Sequence, residues 1–335
     1  MKPALPRVAV VGTGGSIATL ARDSLDLYEY ADFGKRLEVD ELLARFPELS
    51  GIAELLPVRF GAIGSSSITP ADWVALARRV DALAAEVADL DGIVVTHGTA
   101  SLEESAYFLH LATRARVPLV LVASQRPPNG LSSDAGLNLV NAIRVAASSA
   151  ARGLGALVVL NDEVHCAREV AKTSNWRLQT FRTADFGCLG HVDPDGQVAL
   201  YRKPTRRHAP DTEFTTDGIS ALPRVDIVYS YAGADGALVD AAVAAGAKGI
   251  VLAGNAPGRP TALQRGALVA AAKRGVIVVL SSRSGSGRVI PRIGDADPGF
   301  IAADNLNPQK ARVLTMLALS ITQDHEEIRR MFGEY

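Results

Sequence analysis

Two hydroxyl-bearing residues, Thr13 and Ser16, lie in a glycine-rich turn near the start of the chain, within AVVGTGGSIAT (residues 9–19). A hydroxyl becomes a nucleophile when a neighbouring base or cation activates it. The same stretch comes close to the dinucleotide fingerprint G-x-G-x-x-G/A, which would cradle a phosphate. That interpretation needs an acidic residue at the end of a second strand about 20 positions on, and residues 24–39 are too polar and aromatic to form that strand. Dinucleotide binding is therefore disfavoured, and a tight turn that needs its glycines is compatible with any function.

A second polar group follows a later apolar run, in THGTASLEE (residues 96–104). His97 could act as an acid or base, although a histidine between a strand and a helix is more often a structural hydrogen-bonding group. Thr96 and Thr99 lie where a helix N-terminus would favour an anion or an oxyanion. Lys172, in REVAKTSN, is either a surface lysine or, if it is desolvated and points at these hydroxyls, a group that lowers a hydroxyl pKa or accepts a proton.

The elements that must position these residues are short apolar runs that alternate with helical patterns. The runs are Arg7–Gly12, Asp91–Gly98, Val117–Ser124 and Gly155–Asp162. Each is continuous in valine, isoleucine and leucine, which is typical of strands buried on both faces of a parallel sheet. Ser101 and Glu104 form a capping-box pattern that predicts a helix beginning there. The alternation predicts a doubly wound, mostly parallel α/β sheet, with function in the loops at the carboxyl ends of its strands.

A polar segment with three prolines interrupts this alternation. It predicts a linker at 205–222 between an N-terminal catalytic domain (1–204) and a smaller, flavodoxin- or Rossmann-like α/β domain (223–335). Near the C-terminus, Asn307 is predicted to cap a helix whose first residue is Pro308.

Composition excludes several function classes. The chain has 35 Lys+Arg against 36 Asp+Glu, a net charge of -1, so neither a nucleic-acid nor a membrane-surface partner is expected. Cys166 and Cys188 show no metal-site spacing; we expect two buried thiols in a reducing cytosol, and no metal. No apolar run approaches the roughly 20 residues of a membrane helix, and no signal sequence is recognisable, so a cytoplasmic location is expected.

Taken together, the loops resemble those of a known family. TGGSIAT, THGTASLEESAYFLHL, RPPNGLSSDAGLNLVNAI, LNDEVHCAREVAKT and LNPQKARVL are similar to motifs of the bacterial L-asparaginase/glutaminase family, the tetrameric type with a threonine nucleophile. The resemblance covers nearly the whole chain. It implies hydrolysis of a small carboxamide substrate without metal or cofactor, in a homotetramer that is a dimer of intimate dimers with sites between two subunits.

The resemblance also implies a role for each reactive residue. Thr13 would attack the side-chain carboxamide carbon, form an acyl-enzyme and release ammonia. Thr99 would position the attacking water, and Lys172 would pair with Thr99. A tyrosine of the following loop assists the nucleophile in this family; Tyr30 fits best here, with Tyr28 as the alternative.

The substrate-binding positions of the family correspond to Gly12, Ser65, Ser66, Gly98 and Ala100. Ser65 would hold the substrate α-carboxylate. The family motif reads THGTD, and its aspartate clamps the substrate α-ammonium, but this chain has Ala100 there. The family glutamine that follows the carboxylate-binding serine is Ser66.

Two further family positions have changed. The asparagine of the C-terminal YxYAN motif corresponds to Gly233. The glutamate that a neighbouring subunit donates should fall in residues 281–295, where no acid precedes Asp295 and the nearest charged residues are Arg288 and Arg292. Either arginine could supply positive charge to a different substrate.

All four changes remove groups that would pair with an ammonium ion, whereas the amide-attacking residues are retained. Burying a cation without a charged or hydrogen-bonding partner costs several kcal/mol of free energy. We therefore hypothesise an amidohydrolase for a neutral, N-acylated or dicarboxylic-type amide that lacks the α-ammonium. The alternative is a plain L-asparaginase whose ammonium site is rebuilt from Asp235, Glu29 or Asp32. A catalytically silent binding protein is a third hypothesis, and the retained reactive residues argue against it.

Overall fold

The computed structural model describes residues 5–293 and 299–335, so Asp295 lies outside the described residues. The chain forms two compact units, Met1–Thr216 and Asp217–Tyr335. Each is an α/β unit with its own apolar core.

The described part of the first unit contains one large sheet and two two-stranded sheets. Its strands are β1 (Arg7–Gly12), β2 (Thr19–Leu20), β3 (Lys35–Arg36), β4 (Glu54–Arg59), β5 (Leu90–Thr96), β6 (Leu119–Val122), β7 (Ala156–Leu160), β8 (Glu163–Cys166), β9 (Ala171–Lys172), β10 (Phe181–Arg182), β11 (Gly190–Val192) and β12 (Val198–Leu200). The eight-stranded sheet has the order β12-β11-β8-β7-β6-β5-β1-β4. Strands β4 to β7 are parallel to β1, while β8, β11 and β12 continue the sheet antiparallel. The predicted mostly parallel sheet is confirmed.

Among the described residues of this unit, five α-helices accompany the sheet: α1 (Tyr30–Phe33), α2 (Val39–Leu43), α3 (Pro70–Glu86), α4 (Leu102–Ala112) and α5 (Ala135–Ala147). Helix α4 begins where the sequence predicts, but the predicted capping box is wrong. Ser101 is the N-cap residue, and its side chain makes no capping hydrogen bond. Its hydroxyl instead donates to the carbonyl of Ser65 across 2.6 Å, because that carbonyl comes within reach at the end of a neighbouring loop.

The second unit is a four-stranded parallel sheet with helices. Its elements are β13 (Val225–Tyr229), α6 (Ala237–Ala244), β14 (Gly249–Gly254), α7 (Ala262–Ala272), β15 (Ile277–Ser282), β16 (Ile301–Ala302), α8 (Pro308–Leu319) and α9 (His325–Glu334). The Asn307 side chain accepts the N–H of Lys310 at the start of α8, with Pro308 as the first helical residue. The predicted cap is confirmed.

The position of the site follows from the strand order of the first unit. From β1 the chain crosses to β4 on one side, and the next long strand, β5, pairs with β1 on the other side. In open α/β sheets, such a reversal leaves a crevice at the carboxyl ends of the strands, where ligands bind. The loops after β1 and β5 contain Thr13 and Thr99.

Two expectations about the whole chain can be compared with the structure. Among the described residues, no helix combines the length and the apolar character needed to cross a bilayer. Both cysteines are free thiols, and Cys166 is buried as expected. The expected burial of Cys188 is wrong, because this residue is only partly covered beside the edge strand β11.

Candidate active site

The glycine-rich turn holds Thr13 against the end of the neighbouring strand β5. The backbone N–H and the hydroxyl of Thr13 both donate to the carbonyl of Thr96, at 3.2 and 2.7 Å. Thr13 is 2% exposed. Since a carbonyl is not a base, this contact fixes the rotamer of Thr13 and leaves the oxygen lone pairs for attack on a substrate.

Glycines allow the loops of the site to touch through their backbones. Gly15 has φ 85°, and a Cβ there would lie 2.3 Å from the Cα of Gly98. A Cβ on Gly98 would in turn lie 2.4 Å from the Cβ of Ser65. The Gly12 carbonyl accepts the N–H of Phe60, which joins the end of β1 to the chain after β4. Three strand-end loops are therefore packed side by side around Thr13.

The positions near Thr99 that correspond to the family's substrate-binding positions carry no charge. Ser65 is partly buried, whereas Ser66 and Ala100 are exposed. Ala100 offers only a methyl group where the related motif has a carboxylate. The structure thus brings Ser65, Gly98 and Ala100 into one loop cluster, without an acid at position 100.

Lys172 reaches this cluster from β9. Its ammonium donates to the hydroxyl of Thr99 across 2.7 Å, and Thr99 itself is 7% exposed. Burial lowers the pKa of Lys172, and the nearby Glu103 carboxylate acts in the opposite direction. The amine is therefore easier to deprotonate than a surface lysine, and in its neutral form it can accept a proton from Thr99.

Sequence reasoning missed Gln125, which contacts the same ammonium. Its Oε1 accepts from Lys172 Nζ at 3.2 Å, while its Nε2 donates to the carbonyls of Asn175 and Arg177, each at 3.1 Å. Gln125 therefore fixes the end of Lys172 relative to the chain that follows β9. Its place in the loop after β6, among the loops expected to build the site, is the signal that could have found it.

The structure separates the two candidate tyrosines. Tyr30 is 6% exposed, and its hydroxyl donates to the Gln125 carbonyl at 3.4 Å. Burial raises the pKa of Tyr30, and a hydrogen bond with Ser16 partly offsets that effect. Tyr28 is 66% exposed and meets the ring of Trp176 edge-on, with centroids 5.4 Å apart. Tyr30, rather than Tyr28, joins the cluster.

His97 has the environment of a structural histidine. Its ring is buried, and Nδ1 lies 2.8 Å from the carbonyl of Gly98. Burial lowers the pKa of His97, which favours the neutral ring. A neutral ring held against the backbone supports the shape of the THGT loop.

The structure places the acids considered for a rebuilt ammonium site, and the arginine considered for added positive charge, in different environments. Glu29 and Asp32 are exposed at α1. In the second unit, Asp235 accepts the N–H of Ala237 at the start of α6, and Gly233 is exposed with φ 81°. Arg288 is ion-paired with Asp304, which occupies its charge.

Two threonines, a partly buried lysine and a buried tyrosine lie close together at one edge of a doubly wound sheet, and this combination of side chains is typical of an enzyme's active site. Comparison with known proteins identifies the family. Residues 7–206 match the profile described as Asparaginase, N-terminal, and residues 224–332 match that of the Glutaminase/Asparaginase C-terminal domain.

Individual relatives are similar over almost their full lengths. L-asparaginase 2 of Bacillus subtilis is 41% identical over 335 residues, which is 100% of this chain and 88% of the relative. The glutaminase-asparaginase of Pseudomonas fluorescens is 40% identical, covering 100% of this chain and 92% of the relative. The crystal structure of a probable cytoplasmic L-asparaginase from Campylobacter jejuni superposes with a TM-score of 0.91 at 36% identity, over 98% of this chain and 100% of that one. The chain belongs to the asparaginase family, and it is a hydrolase of amide C–N bonds.

Proposed function

We propose that this protein releases ammonia from a small carboxamide through an acyl-enzyme on Thr13. The observation that carries the proposal is the 2.7 Å hydrogen bond from Lys172 to Thr99, in a loop that packs against the Thr13 turn. A nucleophile held by one strand end and a proton acceptor held by the next are the two parts that stepwise amide hydrolysis requires.

The first half-reaction breaks the C–N bond. Thr13 Oγ1 attacks the carboxamide carbon, and its proton passes to the leaving nitrogen with the Tyr30 hydroxyl as relay. Ammonia leaves, and the acyl group remains on Thr13 as an ester. The phenol suits a relay because its hydroxyl can accept one proton while it donates another.

The second half-reaction uses the Thr99–Lys172 pair. Thr99 holds a water that attacks the ester carbon, and the water's proton passes through the Thr99 hydroxyl to the neutral amine of Lys172. The ester C–O bond breaks, Thr13 recovers a proton from Lys172, and the carboxylic acid leaves. No cofactor enters this scheme.

The substrate head group is proposed to lack the α-ammonium. Ala100 presents no carboxylate to pair with an α-ammonium, and an ammonium that binding desolvates without a partner carries a free-energy penalty. A neutral, N-acylated or dicarboxylic-type amide avoids that cost. Plain L-asparaginase activity is the second candidate, favoured by the name of the Bacillus subtilis relative, and it requires an acid from elsewhere, such as a neighbouring subunit.

We further propose a homotetramer in the cytoplasm. The family resemblance supports the assembly, and the name of the Campylobacter jejuni relative supports the location. The domain limits 1–204 and 223–335 also remain our proposal; the division after Thr216 falls within the linker proposed between them.

The experiment is ammonia release across L-Asn, L-Gln, D-Asn, succinamate and N-acetyl-asparagine, with Thr13→Ala as the inactive control. We expect succinamate or N-acetyl-asparagine to be preferred. A kcat/KM for L-Asn above that of both would overturn the head-group proposal. Turnover that survives in Thr13→Ala would overturn the assignment of the nucleophile, and a silent wild type would favour a binding protein.

The same assay separates the tyrosines. Tyr30→Phe removes the buried hydroxyl, and we expect kcat to fall about 100-fold or more. Tyr28→Phe is the matched control, because its ring is on the surface, and it should leave kcat unchanged.

A further inference from the structure

Three side chains with metal-ligating atoms meet at the antiparallel end of the first sheet. Glu163 begins β8, Cys188 lies just before β11, and His191 lies within β11. Cys188 Sγ is 3.5 Å from His191 Nε2, and the ligand atoms of all three lie within 4.8 Å of one another. Within residues 5–293 and 299–335, this is the one group of three or more such ligands.

The sheet register creates this group. Glu163 and His191 are directly opposite each other in the antiparallel pairing of β8 with β11, and opposite residues share a face of the sheet. Cys188 precedes His191 by three residues and approaches from the segment just before β11. All three are partly exposed, so a small ion can reach them from solvent.

We propose that Glu163, Cys188 and His191 bind a divalent cation of the zinc class, with solvent as the fourth ligand. A tetrahedral zinc ion about 2.3 Å from sulfur and about 2.0 Å from nitrogen separates those two atoms by about 3.5 Å. The observed distance of 3.5 Å between Sγ and Nε2 meets this requirement without side-chain movement. Mixed sulfur, nitrogen and carboxylate ligands suit zinc better than magnesium or calcium, which prefer oxygen alone.

A second layer of contacts orients the carboxylate. His165 Nε2 lies 3.1 Å from Glu163 Oε2, and His165 Nδ1 lies 3.1 Å from the hydroxyl of Thr183. His165 is buried, and its Nδ1 contact with Thr183 holds the ring, so Nε2 stays beside the Glu163 carboxylate, although this 3.1 Å approach lacks hydrogen-bond geometry. Outer partners of this kind commonly fix the geometry of metal ligands.

Arg202 lies close to the proposed site, but its positive charge is paired with Glu169 and so repels a bound cation only weakly. Arg202 donates from Nε to the Cys188 carbonyl at 3.0 Å, and its guanidinium forms a 2.6 Å ion pair with Glu169. The arginine therefore tethers the Cys188 backbone while Glu169 balances its charge.

The competing explanation is a hydrogen bond between a thiol and an imidazole, without a metal. The chain offers a matched control for it in Cys166, whose Sγ lies 3.9 Å from His110 Nε2 in the buried core. That pair belongs to no group of three ligand atoms among the described residues. A bound metal should therefore protect Cys188 from alkylation and leave the reactivity of Cys166 unchanged.

The test adds Zn²⁺ or Co²⁺ alone to the full-length, metal-free protein. We expect one ion per chain by chelator competition, a thiolate-to-cobalt absorption band, and protection of Cys188 from alkylation as mapped by mass spectrometry. Cys188→Ser and His191→Gln should weaken binding more than about 100-fold, and His165→Gln about 10- to 100-fold. Cys166→Ser should bind as wild type.

The wild-type measurements keep the proposal testable even if a variant fails to fold. A cobalt complex without the sulfur band, or zinc that leaves the alkylation rate of Cys188 unchanged, would overturn the site. Equal loss of affinity in folded Cys166→Ser and Cys188→Ser would do the same.

Discussion

The ammonium of Lys172 donates a hydrogen bond to the hydroxyl of Thr99 across 2.7 Å, although 73 residues separate them in the sequence. The ammonium is partly buried there, and among the described residues no carboxylate lies within hydrogen-bonding distance of it. Its charge is instead met by two neutral oxygens, those of Thr99 and Gln125. Neutral partners compensate a desolvated cation only in part, and this is why the pKa of Lys172 is lowered.

The first prediction concerns the pH dependence of Lys172. Because only the neutral amine accepts a proton, kcat should fall as the pH drops below the lowered pKa of Lys172. Lys172→Arg should lose about 100- to 10,000-fold in kcat, since a guanidinium keeps its proton. The measurement is kcat against pH for both proteins, and an arginine variant with wild-type kcat would contradict the role of proton acceptor.

The same pKa shift acts on stability in a defined direction. The unfolded chain binds a proton at Lys172 up to its ordinary pKa of 10.5, whereas the folded chain releases it at lower pH. Between these two values the unfolded state holds more protons, so stability from this group rises with pH. At pH values below the folded-state pKa of Lys172, Lys172→Met should therefore be more stable than wild type. This advantage should disappear as the pH rises above the unfolded-state pKa of 10.5, as measured by the free energy of unfolding in denaturant.

The second prediction concerns Gln125, whose Oε1 holds Lys172. Gln125→Met keeps the length of the side chain but removes the hydrogen bonds, and we expect kcat to fall about 10- to 100-fold, the value of a bond to a charged group. Gln125→Glu places a carboxylate beside the amine, which should raise the pKa of Lys172 and move the acid limb of the kcat profile to higher pH. If the acid limb of the kcat profile of Gln125→Glu did not shift, the proposed effect of residue 125 on the pKa of Lys172 would be contradicted.

Parts of this architecture could be predicted from the sequence, and others depend on contacts between distant segments. Continuous apolar runs predicted β1, β5, β6 and β7 because a strand buried on both faces needs apolar residues at every position. The capping box predicted at Ser101 does not form, because the Ser101 hydroxyl can also bond to any carbonyl that the fold brings close. Here the fold places the Ser65 carbonyl 2.6 Å from that hydroxyl, and the sequence gives no sign of this contact.

Contacts between segments that are far apart in the sequence were harder to predict. Gln125 contacts Lys172 because the loop after β6 meets β9, a pairing that spacing along the chain does not encode. Glu163 and His191 become neighbours only through the antiparallel register of β8 and β11. The expectation that Cys188 shows no metal-site spacing overlooked the Cys-x-x-His spacing of Cys188 and His191. The sequence does not identify the carboxylate that completes the group.

The third prediction tests the backbone contact between loops. In Gly15→Ala the new Cβ would lie 2.3 Å from Gly98 Cα, so the Thr13 turn must move and both stability and activity should drop. Gly153→Ala is the matched control, because Gly153 also has positive φ, 72°, but a Cβ added there would meet no atom within 4 Å. The control should cost about 1–2 kcal/mol of backbone strain alone. Gly15→Ala should cost clearly more, because it adds the close contact and because Gly15, with ψ -177°, lies in a region almost restricted to glycine. Equal unfolding free energies for the two variants would contradict the close approach.

The last prediction concerns the head-group site at Ala100. Ala100→Asp restores a carboxylate beside Thr99. Because position 100 is exposed in this chain, an ion pair there is worth about 1 kcal/mol or less, which corresponds to a gain of up to about fivefold in kcat/KM for L-Asn relative to succinamate. Ala100→Asn is the control of equal size without the charge, and it should leave that ratio near the wild-type value. The ratio is measured from ammonia release with both substrates under the same conditions. If both variants changed it equally, side-chain size rather than charge would set the specificity; if neither did, the ammonium would be bound by groups away from position 100.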